Sequence, residues 1–273
     1  MESADRDFPS RKGYALVTGG AARLGEAIVR RLASDGWRVA IHHRNSADEA
    51  DALVRELKQG GHDTVAVACD LTQSNDLPEI FASANAALGF CSLLVNCAAI
   101  FEYDDIATVA EASMDAHYAA NLRAPVLLAR HFADQLPHDA RGLIVNLLDQ
   151  KVFNLNPDFL SYTIMKSALA SATELLAMAL APRIRVCGVA PGLTLRSGNQ
   201  TDKGFADAHG QTPLGFGSVP ADIAEAVSFI ARVPSMTGSI VTVDGGQSLV
   251  RRSRDVMFSY GIAPGTPGAS DRR

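Results

Sequence analysis

The sequence predicts a doubly wound parallel α/β sheet of about seven strands with helices on both faces. Three observations carry this reading. Short apolar runs alternate along the chain with longer helical patterns, which is the rhythm of βαβ units joined by right-handed crossovers. The first apolar run leads through a Gly-rich turn directly into a helical pattern. Later apolar runs end in small or polar residues, at Asp70, Asn96, Asp149 and Pro191-Gly192. Ligands of open parallel sheets gather at those carboxyl ends.

Length and composition fit one such domain. The chain has 273 residues, enough for a large core, and shows neither internal repeats nor an inner linker. A formal net charge of −5, from 25 basic and 30 acidic residues, argues against nucleic acid and anionic membrane as partners. Met1 to Lys12 is polar, without the apolar core of a secretory signal, and is expected to be a flexible arm. The longest apolar runs carry Thr, Glu or Lys, so none is expected to span a membrane. Cys69, Cys91, Cys97 and Cys187 form no C-x-x-C pair. They read as buried free thiols of a reducing, cytoplasmic compartment, with no metal site.

In order, Tyr14 to Val17 is the first strand and runs into Thr18-Gly-Gly-Ala-Ala-Arg-Leu-Gly25. Ala27, Ile28, Arg31 and Leu32 then repeat at helical spacing, and Gly36 is a stop. Strand, Gly-rich turn and helix together suit a dinucleotide phosphate. Glycines let the backbone approach it, and the helix start offers free N–H groups and a positive dipole end. Trp37 to His42 is the second strand, ending in His42-His43-Arg44-Asn45-Ser46. An acid there would hold a ribose and reject a 2′-phosphate; Arg44 and Ser46 instead suit the phosphate of NADP. Ala47 to Gln59 is a helix ended by Gly60-Gly61, and Thr64 to Cys69 is a buried strand before Asp70-Leu71.

Gln73 to Leu88 is helical, with a cap expected near Ser74, and Leu93 to Val95 is a strand before Asn96-Cys-Ala-Ala99. Phe101 follows, placed either to stack on a flat substrate or to serve as a core or lid residue. Two helices are expected between Ala107 and Pro137, with Asn121 as a kink or water-holding site. Gly142 to Leu147 is a strand with Asp149 just beyond it.

Tyr162 and Lys166 open an apolar helix that runs to Ala181. At i and i+4 they share a helix face, so the ammonium is expected to lower the phenol pKa and make Tyr162 a proton donor. The run is apolar on more than one face, which leaves one face for a second subunit. Ile184 to Val189 is a strand, Leu193 to Val219 a candidate mobile lid, Asp222 to Ala231 a helix, and Ser239 to Val243 the last strand. The tail after Val250 is expected to be a surface extension.

Thr18-Gly19 with Gly25, Asp70, Asn96-Cys-Ala-Ala99, Asn121, Tyr162 with Lys166, Pro191-Gly192 and Val243-Asp-Gly-Gly246 occur in this order. Together they resemble the short-chain dehydrogenase/reductases, over residues 13–249, with 250–273 left as an extension. That resemblance implies a Rossmann-type domain. Two departures are informative: Arg23 replaces the middle glycine of the phosphate loop, and Asp149 stands where a serine is usual, thirteen residues before Tyr162. With Phe101 and the His42–Ser46 segment, they look like pteridine reductases and the related dihydromonapterin/dihydrofolate reductases.

The resemblance implies NADPH as cofactor, a pterin or folate as small-molecule substrate, and a homotetramer. It implies cofactor contacts at Thr18, Gly19, Arg23, Leu24, Gly25, His43, Arg44, Asn45, Ser46, Asp70, Leu71, Asn96, Ala98, Tyr162, Lys166, Pro191, Gly192 and Thr194. It implies substrate contacts at Arg23, Phe101, Asp149, Tyr162 and Leu193, and a catalytic set of Tyr162, Lys166, Asp149 and Asn121, with Asn121 positioning a relay water. Two other readings compete. One is an NADPH-dependent carbonyl or 3-oxoacyl-thioester reductase with Asp at the serine position. The other is a non-catalytic NADP-binding sensor or scaffold, against which the intact Tyr162/Lys166/Asn121 set argues.

Overall fold

The computed structural model describes residues 13–196 and 200–260. The expected N-terminal arm and the far end of the extension, 261–273, lie outside the described residues, as do 197–199 of the expected lid. Seven parallel strands form one sheet in the order β3-β2-β1-β4-β5-β6-β7. They are β1 (Tyr14–Val17), β2 (Arg38–His43), β3 (Thr64–Ala68), β4 (Cys91–Asn96), β5 (Gly142–Leu147), β6 (Ile184–Pro191) and β7 (Ile240–Val243). The helices are α1 (Arg23–Ser34), α2 (Ala47–Gln59), α3 (Leu77–Leu88), α4 (Glu111–Tyr118), α5 (Ala124–Gln135), α6 (Leu160–Leu180), α7 (Asp202–Gly210) and α8 (Pro220–Arg232).

The strands read as continuous apolar runs because both sheet faces are covered. Along β1, Tyr14 and Leu16 enter one hydrophobic layer while Ala15 and Val17 enter the other. Successive side chains point to opposite faces, so one strand feeds two cores. Ile28 of α1, Leu53 of α2 and Val227 of α8 fill the first layer; Ile80 of α3 and Leu128 of α5 fill the second. Strand β1 lies between β2 and β4. The chain winds outward to β3, then crosses back to β4, and the helices that follow β1 and β4 lie on opposite faces. This switch of direction opens a crevice at the carboxyl ends of β1 and β4.

Several expectations need correction. The stretch 73–88 is not one helix: a 3₁₀ turn, Ser74–Asp76, precedes α3, and Ser74 is not its cap. Pro78 takes an early position in α3, where a missing N–H breaks no helical bond. The expected kink at Asn121 is a π-helical turn, Ala119–Arg123, joining α4 to α5. The candidate lid contains a helix of its own, α7, capped by Thr201, whose hydroxyl accepts the Gly204 N–H at 3.0 Å.

Helix α6 is long and apolar enough, by length and composition, to cross a membrane, contrary to the sequence expectation. It lies instead against the sheet, with Tyr162, Lys166 and Thr173 buried on its inner side. Its outer side leaves Ile164, Leu175 and Met178 exposed in the single chain. The near part of the C-terminal extension is no loose surface tail either, because Asp255, Val256 and Met257 form part of the crevice wall.

Candidate active site

The crevice encloses about 480 Å³ at the carboxyl edge of the sheet. Its floor is the turn after β1. Gly19 has φ +64, a conformation L side chains rarely adopt, and an added Cβ would press on Ala98. A Cβ on Gly25 would collide with the Gly19 carbonyl, so the turn packs on α1 only with glycine there. Ala22 offers α1 no side-chain cap, which leaves the first helical N–H groups for a ligand. Thr18 does not line the crevice. Its hydroxyl accepts the N–H groups of Cys97 and Ala98 at 2.9 and 3.0 Å, tying the turn after β1 to the turn after β4.

His42 is a brace that local pattern did not single out. Its Nδ1 accepts the Gly19 N–H at 3.0 Å, and its Nε2 lies 2.9 Å from the Cys69 carbonyl, so the proton belongs on Nε2. The ring thus joins the ends of three strands, and burial pushes its pKa down to about 4.

At the expected phosphate-selecting end, Arg44 lines the crevice and is exposed. Neighbouring positions do less than expected. His43 is buried on the opposite side of β2 from His42, as strand alternation requires. Asn45 and Ser46 do not line the crevice, and the Ser46 hydroxyl makes no helix cap. Asp70 and Leu71 do line it; Asp70 accepts the Thr72 N–H and hydroxyl at 2.9 and 2.8 Å, which fixes the turn after β3. Arg23 adopts φ 55, strained for a residue with a side chain. It reaches across the mouth, donating from Nη2 to the Arg196 carbonyl at 3.0 Å. Leu24 and Ala98 lie on the wall between these groups.

The other end holds Tyr162, Asp149 and Phe101, expected at the reacting centre. Tyr162 donates its hydroxyl hydrogen to Asp149 Oδ2 at 3.0 Å, while Asp149 Oδ1 accepts the Lys151 N–H at 2.8 Å. Asp149, half-buried, therefore faces the phenol. Phe101 stands edge-on to Tyr162 with ring centres 4.7 Å apart and stacks on Phe159 at 4.3 Å, at the crevice rim. The packing on Phe159 is that of the core or lid reading of Phe101, and the ring also lines the crevice. Pro191, Gly192, Leu193 and Thr194 form the facing wall, held as the Leu193 N–H donates to Gln247 Oε1 at 2.8 Å.

The electrostatics differ from expectation. Lys166 donates to the Leu147 carbonyl at 2.6 Å, with its ammonium 5.7 Å from the centre of the Tyr162 ring. Burial lowers its pKa to about 8, against the attraction of Asp149. The Tyr162 phenol is not made acidic. Burial, then the Asp149 carboxylate, push its pKa well above 10. The carboxylate in hydrogen-bond contact with the phenol adds to the effect of burial, while the ammonium is turned to Leu147. Burial also raises the Asp149 carboxyl, opposed by the Lys151 N–H, the Lys151 charge and the Tyr162 hydroxyl.

Asn121 and Asn96 turn out to be braces. The Asn121 amide donates to the Ile100 carbonyl and accepts the Ile100 N–H, both at 2.8 Å. It pins the turn leading to Phe101. Asn96 donates to Asn146 Oδ1 at 2.8 Å and Asn146 donates to Thr173 at 3.0 Å, a polar chain crossing β4, β5 and α6 beneath the crevice. Asp104, also missed from sequence, receives the Ser161 N–H at 2.9 Å and bonds the Ser161 hydroxyl. It satisfies the start of α6 just before Tyr162. Fifty-seven residues separate these partners, so no local spacing announces them.

A family model described as enoyl-(acyl carrier protein) reductase matches residues 19–248. An uncharacterized oxidoreductase of Methylorubrum extorquens is 32% identical, across 85% of this chain and 96% of the relative. The chain belongs to the short-chain dehydrogenase/reductase family. Another relative in that family is a 3-oxoacyl-[acyl-carrier-protein] reductase of Staphylococcus epidermidis, 29% identical over 85% of this chain and 97% of the relative. Two solved structures are similar at TM-score 0.85: FolM alternative dihydrofolate reductase 1 of Brucella canis and of Brucella suis, both with NADP. They are 40% and 41% identical, covering 89% and 88% of this chain and 96% of each of those chains. This short-chain dehydrogenase/reductase is an oxidoreductase, and its crevice joins a nucleotide cradle to a phenol–carboxylate pair.

Proposed function

We propose that the chain is an NADPH-dependent reductase of a C=N bond in a dihydropterin or a dihydrofolate-type substrate. The hydrogen bond between Tyr162 and Asp149 carries this reading. A carboxylate can accept hydrogen bonds from ring N–H and amino groups, or donate when burial holds its proton. A plain carbonyl oxygen has no use for an acceptor in that place. Phe101 adds an aromatic edge beside the pair. The FolM structures, described as alternative dihydrofolate reductases, support the same reading.

The residues fit the cofactor. The glycine cradle and uncapped α1 start would receive its phosphates and the exposed Arg44 on the crevice its 2′-phosphate, while Lys166, buried and bonded to the Leu147 carbonyl, would exchange that partner for the nicotinamide ribose. NADPH is the cofactor, and when bound it supplies the hydride. Tyr162 supplies the proton, with Asp149 holding the phenol and the substrate edge. A cation such as the substrate's own developing charge is balanced by that carboxylate. The outward apolar side of α6 supports contact with a second subunit, as the homotetramer implied by the resemblance would require, and the four free cysteines support a cytoplasmic setting.

The test follows nicotinamide absorbance with dihydrobiopterin, dihydromonapterin, dihydrofolate and an acetoacetyl thioester side by side. Pterin or folate turnover well above the thioester is expected. The reverse order would make the chain a carbonyl or 3-oxoacyl-thioester reductase, a reading that the Staphylococcus relative favours. Tight NADPH binding without turnover of any of them would make it a sensor.

A further inference from the structure

The crevice has a wall that the phosphate loop, the Tyr/Lys pair and the facing loop do not supply. Asp255, Val256 and Met257 line it. Four attachments hold this piece of chain in place. Lys151 Nζ donates to Asp255 Oδ2 and to Asn156 Oδ1, each at 2.8 Å. Arg254 pairs with Asp158 through Nε at 3.0 and 2.9 Å and through Nη2 at 2.6 Å. The Asp255 N–H donates to the same carboxylate at 2.6 Å. Phe258 sits edge-on to Tyr103 at 5.0 Å and nearly parallel to Phe159 at 6.0 Å, and Phe159 is the ring on which Phe101 stacks.

Lys151 links this wall to the reacting groups. Its main-chain N–H grips Asp149 Oδ1 while its side chain grips Asp255. The Lys151 side chain is only 3% exposed and Asp255 13%. An ammonium buried to that degree is retained only with close partners, so the pair has a specific job of placement. We infer that residues 254–258 are the wall that seats the substrate, and that Lys151 and Asp255 are positioning residues that latch this wall against Asp149 and Phe101. The chemistry suits a small planar heterocycle: Val256 and Met257 offer apolar contact, and the latch holds them one residue from a carboxylate. The inference rests on the proposed function for the identity of the substrate, not for the latch itself.

The charges facing Asp149 are Lys151 on its own loop, Tyr162 and Lys166 on α6, and Asp255 on the C-terminal segment. Removing the Asp255 charge also frees that of Lys151, and both changes favour ionised Asp149. The pH limb set by Asp149 therefore moves to lower pH in Asp255→Asn and to higher pH in Lys151→Met. Lys151→Arg, which keeps the charge, should stay near wild type.

The experiment compares wild type, Lys151→Met, Lys151→Arg and Asp255→Asn. Hydrogen exchange of residues 253–260 is read with NADP⁺ alone, so the latch is judged whether or not pterins are substrates. Steady-state constants are read with 7,8-dihydrobiopterin or an acetoacetyl thioester, whichever the wild type reduces. Expected are exchange faster by about tenfold in Lys151→Met and Asp255→Asn, and a substrate KM raised by about tenfold with the NADPH KM within about twofold. Unchanged exchange would remove the latch. Faster exchange with an unchanged substrate KM, or a Lys151→Arg protein as impaired as Lys151→Met, would remove the seating role.

Discussion

Tyr162 and Asp149 make opposite demands on one hydrogen bond. A phenol that serves as proton donor must keep its proton until it is needed, and burial together with the carboxylate 3.0 Å away raises its pKa. Tyr162→Phe removes the donor and leaves the cradle intact. Turnover should fall by about 10²–10⁴-fold with the NADPH Kd within about threefold, read by steady-state kinetics and fluorescence titration. Full activity in Tyr162→Phe would take the donor role away from it. Arg44 is the other single residue with a specific reading, because it alone of the His43–Ser46 positions lines the crevice. A charge-assisted bond to phosphate is worth roughly 1.5–3 kcal/mol. Arg44→Ala should thus raise the NADPH KM by about 10–100-fold and leave that for NADH within about twofold. Equal effects on both nucleotides would place the 2′-phosphate elsewhere.

At the scale of elements, the site depends on turns that side chains hold from outside. The turn after β4 is fastened by Thr18 on one side and Asn121 on the other. Asn121 bonds Ile100 from within the π-helical turn Ala119–Arg123. Asn121→Ala leaves the Ile100 main chain without both partners. A loss of about 1–3 kcal/mol is expected in urea unfolding, together with weaker NADPH binding, because Ala98 and Phe101 lie on the freed turn. Unchanged stability would mean that water replaces the amide at no cost. Among the described residues, helix α6 is likewise started by Asp104 and not by its own cap residue, Phe159, which has φ 55.

For the whole molecule, pH acts through groups that burial has displaced. His42 has its pKa lowered from 6.5 to about 4 in the fold. Between those values the unfolded chain binds the proton and the folded chain does not, so stability rises with pH through that window and this group adds nothing above it. Acidification below pH 6.5 should therefore destabilise the protein progressively, by roughly 1–3 kcal/mol on reaching pH 4. His42→Gln keeps a hydrogen-bonding side chain without the titration, and its stability should be flatter over the same range. The comparison is two sets of urea titrations; parallel pH curves would clear His42 of the effect. The consequence reaches the site, since protonated His42 could no longer accept the Gly19 N–H.

How much of this was legible beforehand follows from the range of each interaction. The parallel sheet, the Gly-rich turn, the Tyr162/Lys166 helix and the position of Asp149 after β5 are properties of neighbours in the chain. Hydrophobic period, glycine placement and i, i+4 spacing express them directly. The bracing bonds of Asn121, Asn96 and Thr18 were not legible because their partners lie 21 to 80 residues away, and local pattern says which residue is polar but not where it turns. The sign of the Tyr162 shift needed its burial and the position of Asp149. Lys151 and Asp255 stand 104 positions apart, on segments that look like plain loop and tail. Local sequence thus determined the scaffold and the chemical types at its open edge. Only the packing of distant segments decided which charges face each other in low dielectric, and there burial and the nearest partner together set ionisation while the partner sets orientation.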